Sequence, residues 1–407
     1  MIKTILVTDG ENRSTLAVTR SLGRKGYRVL VSGKKLRNIS SYSRYCSARF
    51  VVNDPLHDAD AYINEIVRIL KQENVDLLIP MTDHSVFLLN RAREILPKHT
   101  ILACPIEEKV NYISDKSNLF HAAKRLHIPT PKTIHLNGPE DLKSYKNHIT
   151  EFPVVIKPAH SKILDGNRFI SGSVMYASSL DELTNLYDTR PSLRYPSMIQ
   201  EKINGPGTGL FTLFDKTRHL ALFSHRRIRE KPPSGGVSVI SESVPLDKSM
   251  VENSKRLLSE IGWTGVAMIE FKRDNRDGLA KLMEINGRFW GSLNLAITSG
   301  IDFPYLFLDY LNGRIFTKPN IDYRIGHKLR WFLGTLDLLL IRLKNSDSTL
   351  NLPKDAPSKF QTIVDCLNLF NRNISFDVID INDINPFITE IRDYLSNLKF
   401  RNLKTHF

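Results

Sequence analysis

The sequence predicts an α/β protein: a parallel, Rossmann-like region followed by an α+β region with antiparallel strands. Short apolar runs alternate with amphipathic helical stretches over the first hundred residues, the pattern of βα units. Later, Leu210–Phe214 with Leu220–Arg226, and Val266–Phe271 with Leu279–Ile285, read as antiparallel pairs. A chain of 407 residues is also too long for one ordinary core, so two or three domains are expected.

In order, Thr4–Thr8 is a strand ending in Asp9-Gly10, and Thr15–Leu22 is a helix with Gly23 and Gly26 near its end. Tyr27–Ser32 and Phe50–Asn53 are strands, Asp60–Lys71 a helix, Asp76–Pro80 a strand, His84–Glu94 a helix and Thr100–Ala103 a strand. The first strand leads into Thr8-Asp9-Gly10-Glu11-Asn12-Arg13 rather than Gly-x-Gly-x-x-Gly, which argues against a dinucleotide site. Ligands of parallel sheets favour the loops at strand C-termini, here Asp9–Ser14 and Thr82-Asp83-His84-Ser85. Helix capping by Thr82, Asp83 or Ser85 explains the second loop equally well.

Asn111–Lys116 opens a helix that ends near Leu126, broken by His127-Ile128-Pro129-Thr130-Pro131. Phe152–Pro158 is an apolar strand ending in Lys157. A lysine there without a charged partner is costly, which marks it as functional. Ala159–Ser173 is a loop holding only Gly166 and Gly172, with Lys162, Arg168 and serines as donors. Ser197–Ile203 is a strand leading into Asn204-Gly205-Pro206-Gly207. A basic run, Arg226–Glu230, precedes Lys231-Pro232-Pro233-Ser234-Gly235-Gly236, and reads as either a site border or an exposed loop. Lys248–Ile261 is a helix stopped by Gly262, and Asp302–Leu311 a helix closing the core. Apolar residues at 329, 332, 336, 339, 340 and 343 have helical spacing and suit a helix packed on the core, with a membrane surface as the alternative. Asn345–Pro357 is a polar linker, and Asp380–Asn397 holds a last helix.

The hairpin carries the chemistry. Alternate strand residues share a face, so Glu284, Asn286 and Arg288 point one way, with Glu270 beside them on the first strand. Two carboxylates and an amide oxygen suit Mg²⁺, which prefers oxygen ligands. The planar fork of a nearby arginine suits an acyl or phosphoryl anion.

Composition is that of a globular protein, with 41% hydrophobic and 25% charged residues. No apolar run approaches a transmembrane helix, and the N-terminus turns polar too soon for a signal peptide. Cys46, Cys104 and Cys366 have no paired spacing, so a reducing cytoplasm is expected. The net charge of +14 is spread along the chain, with no Lys/Arg block or recognition motif. It reads as attraction of polyanionic small molecules such as nucleotides, not as a nucleic-acid surface.

Glu270 followed by Glu284-x-Asn286-x-Arg288 resembles the metal-binding end of the ATP-grasp superfamily, in particular its carboxylate–amine ligases and the ATP-grasp domains of carbamoyl phosphate synthetase and biotin carboxylase. The order Lys116, Lys157, Glu201, Glu270, Glu284/Asn286, Arg288 follows that family over residues 1–315. The resemblance implies a Rossmann-like pre-ATP-grasp domain (1–105), an ATP-grasp domain of two antiparallel α+β subdomains (106–318, lid about 150–195) and an appendage (319–407). It implies nucleotide contacts from Lys116, Lys157, Glu201, Lys202 and Ile203, and metal ligation by Glu270, Glu284 and Asn286. Arg288, with Arg226 and the Gly235-Gly236 amides, would hold the acyl phosphate. The implied cofactors are ATP and Mg²⁺, with Mn²⁺ as an alternative ion. The implied reaction activates a small carboxylate as an acyl phosphate and joins it to an amine; other acyl-phosphate chemistry, carboxylation, or a silent ATP-binding protein are the alternatives. No nucleic-acid partner or stable membrane insertion is implied, and a homodimer is compatible.

Overall fold

The computed structural model describes residues 1–160, 162–166, 168–233, 236–347, 349–350, 352, 357–367 and 373–403. Strands β1 (Thr4–Val7), β2 (Arg28–Gly33), β3 (Ala48–Val51), β4 (Leu77–Ile79) and β5 (Ile101–Leu102) form a parallel sheet in the order β3-β2-β1-β4-β5. Helices α1 (Arg13–Arg24), α2 (Ala59–Gln72) and α3 (Asp83–Arg91) alternate with the strands, as expected. Leu6, Leu30 and Leu78 pack on Tyr62, Ile66 and Ile69 of the amphipathic α2, giving the domain an apolar core of its own. The order reverses at β1, so its C-terminal end and that of β4 flank a crevice where ligands of parallel sheets favour binding.

The helix expected from Asn111 to Leu126 is two helices, α4 (Glu107–Ser114) and α5 (Lys116–Arg125). Asp115 divides them, because its carboxylate caps α5 by accepting from the Ser117 and Asn118 N–H groups. Next, β6 (Thr133–Leu136), the short α6 (Leu142–Tyr145), β7 (Val154–Pro158), the hairpin β8 (Lys162–Asp165) and β9 (Arg168–Ser171), β10 (Met175–Ala177), α7 (Leu180–Thr189) and β11 (Ser197–Glu201) follow. An antiparallel sheet, β10-β7-β11-β6, results, with β8–β9 as a separate ribbon. The segment read as a loop is therefore largely strand, consistent with its few glycines.

A seven-stranded sheet follows in the order β16-β15-β12-β13-β14-β17-β18. Its strands are β12 (Gly207–Asp215), β13 (Arg218–Lys231), β14 (Val237–Ser243), β15 (Thr264–Arg273), β16 (Ala280–Asn286), β17 (Lys328–Arg330) and β18 (Ile374–Phe376). Its helices are α8 (Lys248–Ile261), α9 (Leu293–Ser299), α10 (Phe303–Leu311), α11 (Phe332–Lys344), α12 (Lys359–Leu367) and α13 (Asn385–Leu403). Gly262 ends α8 at φ 62°, a left-handed cap that costs a glycine little. One sheet face buries Leu210, Leu222, Ile269 and Phe271 under Leu257 and Leu258 of α8. On the other, Phe211, Phe223 and Met268 join Trp290, Phe303 and β1-side residues of the first domain.

The basic run at Arg226–Glu230, read as either a site border or an exposed loop, is strand: β13 continues to Lys231, paired with β14. The apolar spacing from 329 to 343 is not one buried helix face. Leu329 lies in β17, and Leu336, Leu340 and Leu343 on α11 are exposed, whereas Leu333 and Leu338 are buried. Residues beyond 318 dock on the first domain through apolar contacts, Val378 and Phe387 with Leu16 and Ile39, and through charges. Arg20 donates Nε to Asp383 Oδ2 (2.8 Å), with the pair almost wholly buried, and Arg13 pairs with Asp377. Among the described residues, no helix is long and apolar enough to cross a membrane.

Candidate active site

Residues β15 and β16 pair with Glu270 directly opposite Glu284 and Met268 opposite Asn286. A register shift between Glu270 and Phe271 pairs the next residue with Leu282, passing over Met283. As directly opposed partners the two carboxylates share one face, with Cβ atoms about 5 Å apart as cross-strand partners are. Asn286 donates Nδ2 to Glu284 Oε1 at 3.0 Å, which turns its Oδ1 toward Arg288 Nη2 (3.3 Å). Arg288 lies beyond the strand and forks onto Asp83, the first residue of α3.

Two lysines reach the same cleft, Lys157 from the smaller sheet and Lys116 from the start of α5, whose Leu119 and Ala123 pack on the larger sheet. Lys157 on β7 pairs in register with Met198 on β11. Burial lowers its pKa to about 8, with Glu284 opposing that fall and Lys116 adding to it. Lys116 begins α5, is buried, and anchors its backbone N–H on the Ala159 carbonyl at 3.0 Å. Burial works against charge on Glu284, but Lys116, the Asn286 amide and Lys157 outweigh it and lower its pKa. Glu270 shifts upward: burial and the Glu284 charge outweigh the Arg227 guanidinium. Two carboxylates forced together thus divide into one firmly ionised and one held toward its protonated form.

The residues suit a hard divalent ion. The donor set is all oxygen, and a cation between the carboxylates would relieve the repulsion that raises Glu270. Among the described residues no three His, Cys, Asp or Glu side chains converge, so any ion here would complete its shell with Asn286, water and phosphate.

Arg226, expected at the acyl-phosphate site, is placed elsewhere. Its side chain is 58% exposed and pairs with Glu242, Nε to Oε2 at 2.8 Å. Strand alternation sends the neighbouring Arg227 to the site instead, where Nη2 bonds Glu270 Oε2 (2.6 Å) and Nη1 bonds Glu230 Oε1 (2.9 Å). The sequence contains the signal: Arg227 shares its face with Gly209 and Glu270 once the β12–β13 register is known. Gly235 lies outside the described residues, as do Ser161 and Asn167 of the lid segment; Gly236 is exposed.

Residues 201–203, expected as the nucleotide hinge, lead from β11 toward β12. Glu201 accepts from the Lys132 backbone N–H (3.0 Å) and from Arg276 Nη2 (2.8 Å), so its carboxylate fixes this segment to neighbouring loops. Ile203 is buried, and its carbonyl accepts from Lys272 Nζ at 3.0 Å. Lys272 is two residues from Glu270 on the same face, a residue the sequence reading missed. Lys202 lies near the Tyr176 ring, 5.8 Å from its centroid. Lys116, Lys157, Glu270, Glu284, Asn286 and Arg288 thus gather in one cleft; Glu201, Lys202 and Ile203 lie where β11 passes to β12; Arg226 lies outside.

This architecture, a small antiparallel sheet and a larger, mainly antiparallel sheet meeting at a Lys- and Glu-lined cleft, is the ATP-grasp fold, and the resemblance seen in the sequence is borne out. The family model described as "ATP-grasp in the biosynthetic pathway with Ter operon" matches residues 219–331. A curated relative is the D-aspartate ligase of Enterococcus faecium (strain Aus0004), 22% identical over 316 residues, covering 72% of this chain and 73% of the relative. Among solved structures, the L-amino acid ligase from Bacillus licheniformis superposes with a TM-score of 0.60 at 16% identity, covering 77% of this chain and 75% of its own. The biotin carboxylase from Campylobacter jejuni gives 0.61 at 18% identity, over 78% and 72% of the two chains. The N5-carboxyaminoimidazole synthetase from Staphylococcus aureus, complexed with ADP, gives 0.59 at 14% identity, over 80% of each chain.

Proposed function

We propose that this protein is an ATP- and Mg²⁺-dependent ligase. It activates a small carboxylate as an acyl phosphate and joins it to an amine, releasing ADP and phosphate. The observation that carries the reading is the convergence of Lys116 and Lys157 on the paired carboxylates Glu270 and Glu284. Anionic and cationic groups gathered in one cleft suit a metal–triphosphate better than either set alone. The amino-acid ligases among the similar proteins favour an amine acceptor.

Lys116 and Lys157 would bind the phosphates, and the main chain of the hinge at 201–203 would receive the base. Glu270, Glu284 and Asn286 would hold Mg²⁺, which supplies charge neutralisation at the β- and γ-phosphates. Arg288 would orient the substrate carboxylate for attack on the γ-phosphorus and then hold the acyl phosphate. A neutral amine would attack the acyl carbon and expel phosphate. Arg227 keeps Glu270 ionisable, and the lid sheet limits water access.

The reading is tested by phosphate release from ATP and Mg²⁺ with pooled carboxylates and pooled amines, using Glu284→Gln as the blank. Release that requires one acid and one amine supports it. Release with an acid alone points to a different acceptor, and no release from any pool while ATP still binds argues for a silent nucleotide binder.

A further inference from the structure

The ribbon β8–β9 does more than cover the cleft. Its register pairs Lys162 with Ser171 and Leu164 with Phe169, so Lys162, Leu164 and Phe169 share one face. That face is applied to helix α3 of the first domain. The Phe169 ring meets His84 edge-on, with centroids 4.9 Å apart and planes at 81°, and Phe87 likewise at 5.9 Å and 75°. Edge-to-face pairs of this kind add specific attraction to plain burial. The Phe169 backbone N–H also donates to the Leu56 carbonyl, at 3.4 Å. An aromatic side chain from the lid is therefore clasped by the domain across the cleft.

The clasp brings a charge with it. Lys162 comes within electrostatic reach of Asp83 and Arg288, the pair that joins the two domains at the crevice. His84 Nε2 is buried without a hydrogen-bond partner among the described residues. Burial, then Lys162, lowers its pKa to about 4, so His84 is neutral near pH 7 and adds no charge. Arg288 and Lys162 thus both lie within electrostatic reach of Asp83, so the two cations stand beside one another at the crevice, where an anion could bridge them.

We propose that Phe169 is a positioning residue that seats the lid ribbon on α3 and so delivers Lys162 to the anion held at Arg288. The anion's identity as an acyl phosphate rests on the ligase reading; the clasp itself does not. It also accounts for the sparse glycines of this lid. A ribbon anchored by a side chain needs a stable strand pair more than backbone freedom.

Two measurements on the full chain test this. In hydrogen exchange without ligand, Phe169→Ala should speed exchange across 162–171 at least tenfold while α3 and the main sheets keep their rates. Phe169→Leu should recover most of the protection. Unchanged exchange in Phe169→Ala overturns the clasp. In calorimetry with MgADP present, acetyl phosphate is the probe anion. Phe169→Ala and Lys162→Met should each weaken its binding about tenfold, and the double variant no further, because both act through one group. Independent, multiplying losses, or none, overturn the delivery of Lys162. If the wild-type chain fails to bind acetyl phosphate at all, Lys162 delivery fails together with the acyl-phosphate reading, while the exchange result still decides the clasp.

Discussion

Arg288 and Asp83, 205 positions apart in the chain, form a two-pronged ion pair, Nε to Oδ1 at 2.7 Å and Nη2 to Oδ2 at 2.9 Å. It ties the end of the carboxylate hairpin to the start of α3, at the crevice beside β1 and β4. Asp9 stands in the same crevice at φ 58°, its carboxylate accepting from Thr8, Thr82 and Ser85 hydroxyls. Burial would raise the Asp83 pKa, but the Arg288 charge overrides it and lowers it. The guanidinium plane is therefore fixed before any substrate arrives.

Arg288→Lys keeps the charge and loses the fork. We expect turnover to fall at least a hundredfold while ATP affinity changes less than threefold. Asp83→Asn should retain ATP affinity and lower kcat/KM for the carboxylate about tenfold. Steady-state kinetics with each substrate varied separate these effects; an equal rise in KM for ATP would place Arg288 on the nucleotide instead.

Glu284→Gln removes a carboxylate from the proposed metal site with almost no change in volume. Turnover should fall at least a hundredfold, and the Mg²⁺ concentration for half-maximal rate should rise. Circular dichroism should match wild type. Undiminished turnover would remove Glu284 from the metal site.

Lys157 links binding, stability and pH. Its folded pKa of about 8 lies below the 10.5 of a solvated lysine, so near pH 7 the folded chain holds a proton that burial disfavours. That penalty is complete below pH 8 and fades as the pH rises toward 10.5, where the unfolded chain also loses the proton. Lys157→Met should therefore raise the melting temperature of the free protein at pH 7 and abolish the rise that ATP produces. In the wild type, ATP affinity should weaken above pH 8, by up to about tenfold per pH unit for one proton. Thermal shift and titration across pH 7–10 read both effects, and a lower melting temperature in Lys157→Met would contradict the assigned cost of burial.

Neighbouring arginines should behave oppositely. Arg227→Ala leaves Glu270 buried without its partner, a loss of about 3–5 kcal/mol for such pairs, and should raise the Mg²⁺ requirement. Arg226→Ala breaks an exposed pair with Glu242 and should cost no more than about 1 kcal/mol, with turnover within twofold. Denaturant unfolding and Mg²⁺ titration compare the two; equal effects would mean that both side chains serve the site.

Residues beyond 318 should prove integral to the fold. Asp383→Ala removes a carboxylate that accepts from Arg20, the Ser43 hydroxyl and the Arg44 backbone N–H. It should destabilise the protein by about 3 kcal/mol or more, read as a lower denaturant midpoint.

The periodic elements were legible in the sequence because one physical pattern governs each. The parallel sheet followed from βα alternation, and Glu270, Glu284 and Asn286 followed from strand alternation. What stayed hidden depends on register or on distant contacts. Choosing Arg227 over Arg226 requires the pairing of β12, β13 and β15. The break before Lys116 depends on a cap by Asp115, a residue that reads equally well as helical. The aromatic clasp between Phe169 and His84 joins residues 85 positions apart and leaves no local trace. On α11, the spacing of Leu336, Leu340 and Leu343 implied burial, but periodicity shows only that a stripe exists, not what covers it.

The most direct test of the acyl-phosphate account uses a substrate acid labelled with ¹⁸O in its carboxylate. If the carboxylate attacks the γ-phosphorus and an amine then displaces phosphate, each phosphate released carries one labelled oxygen, matched one to one with amide formed. Unlabelled phosphate accompanying amide formation would contradict that account.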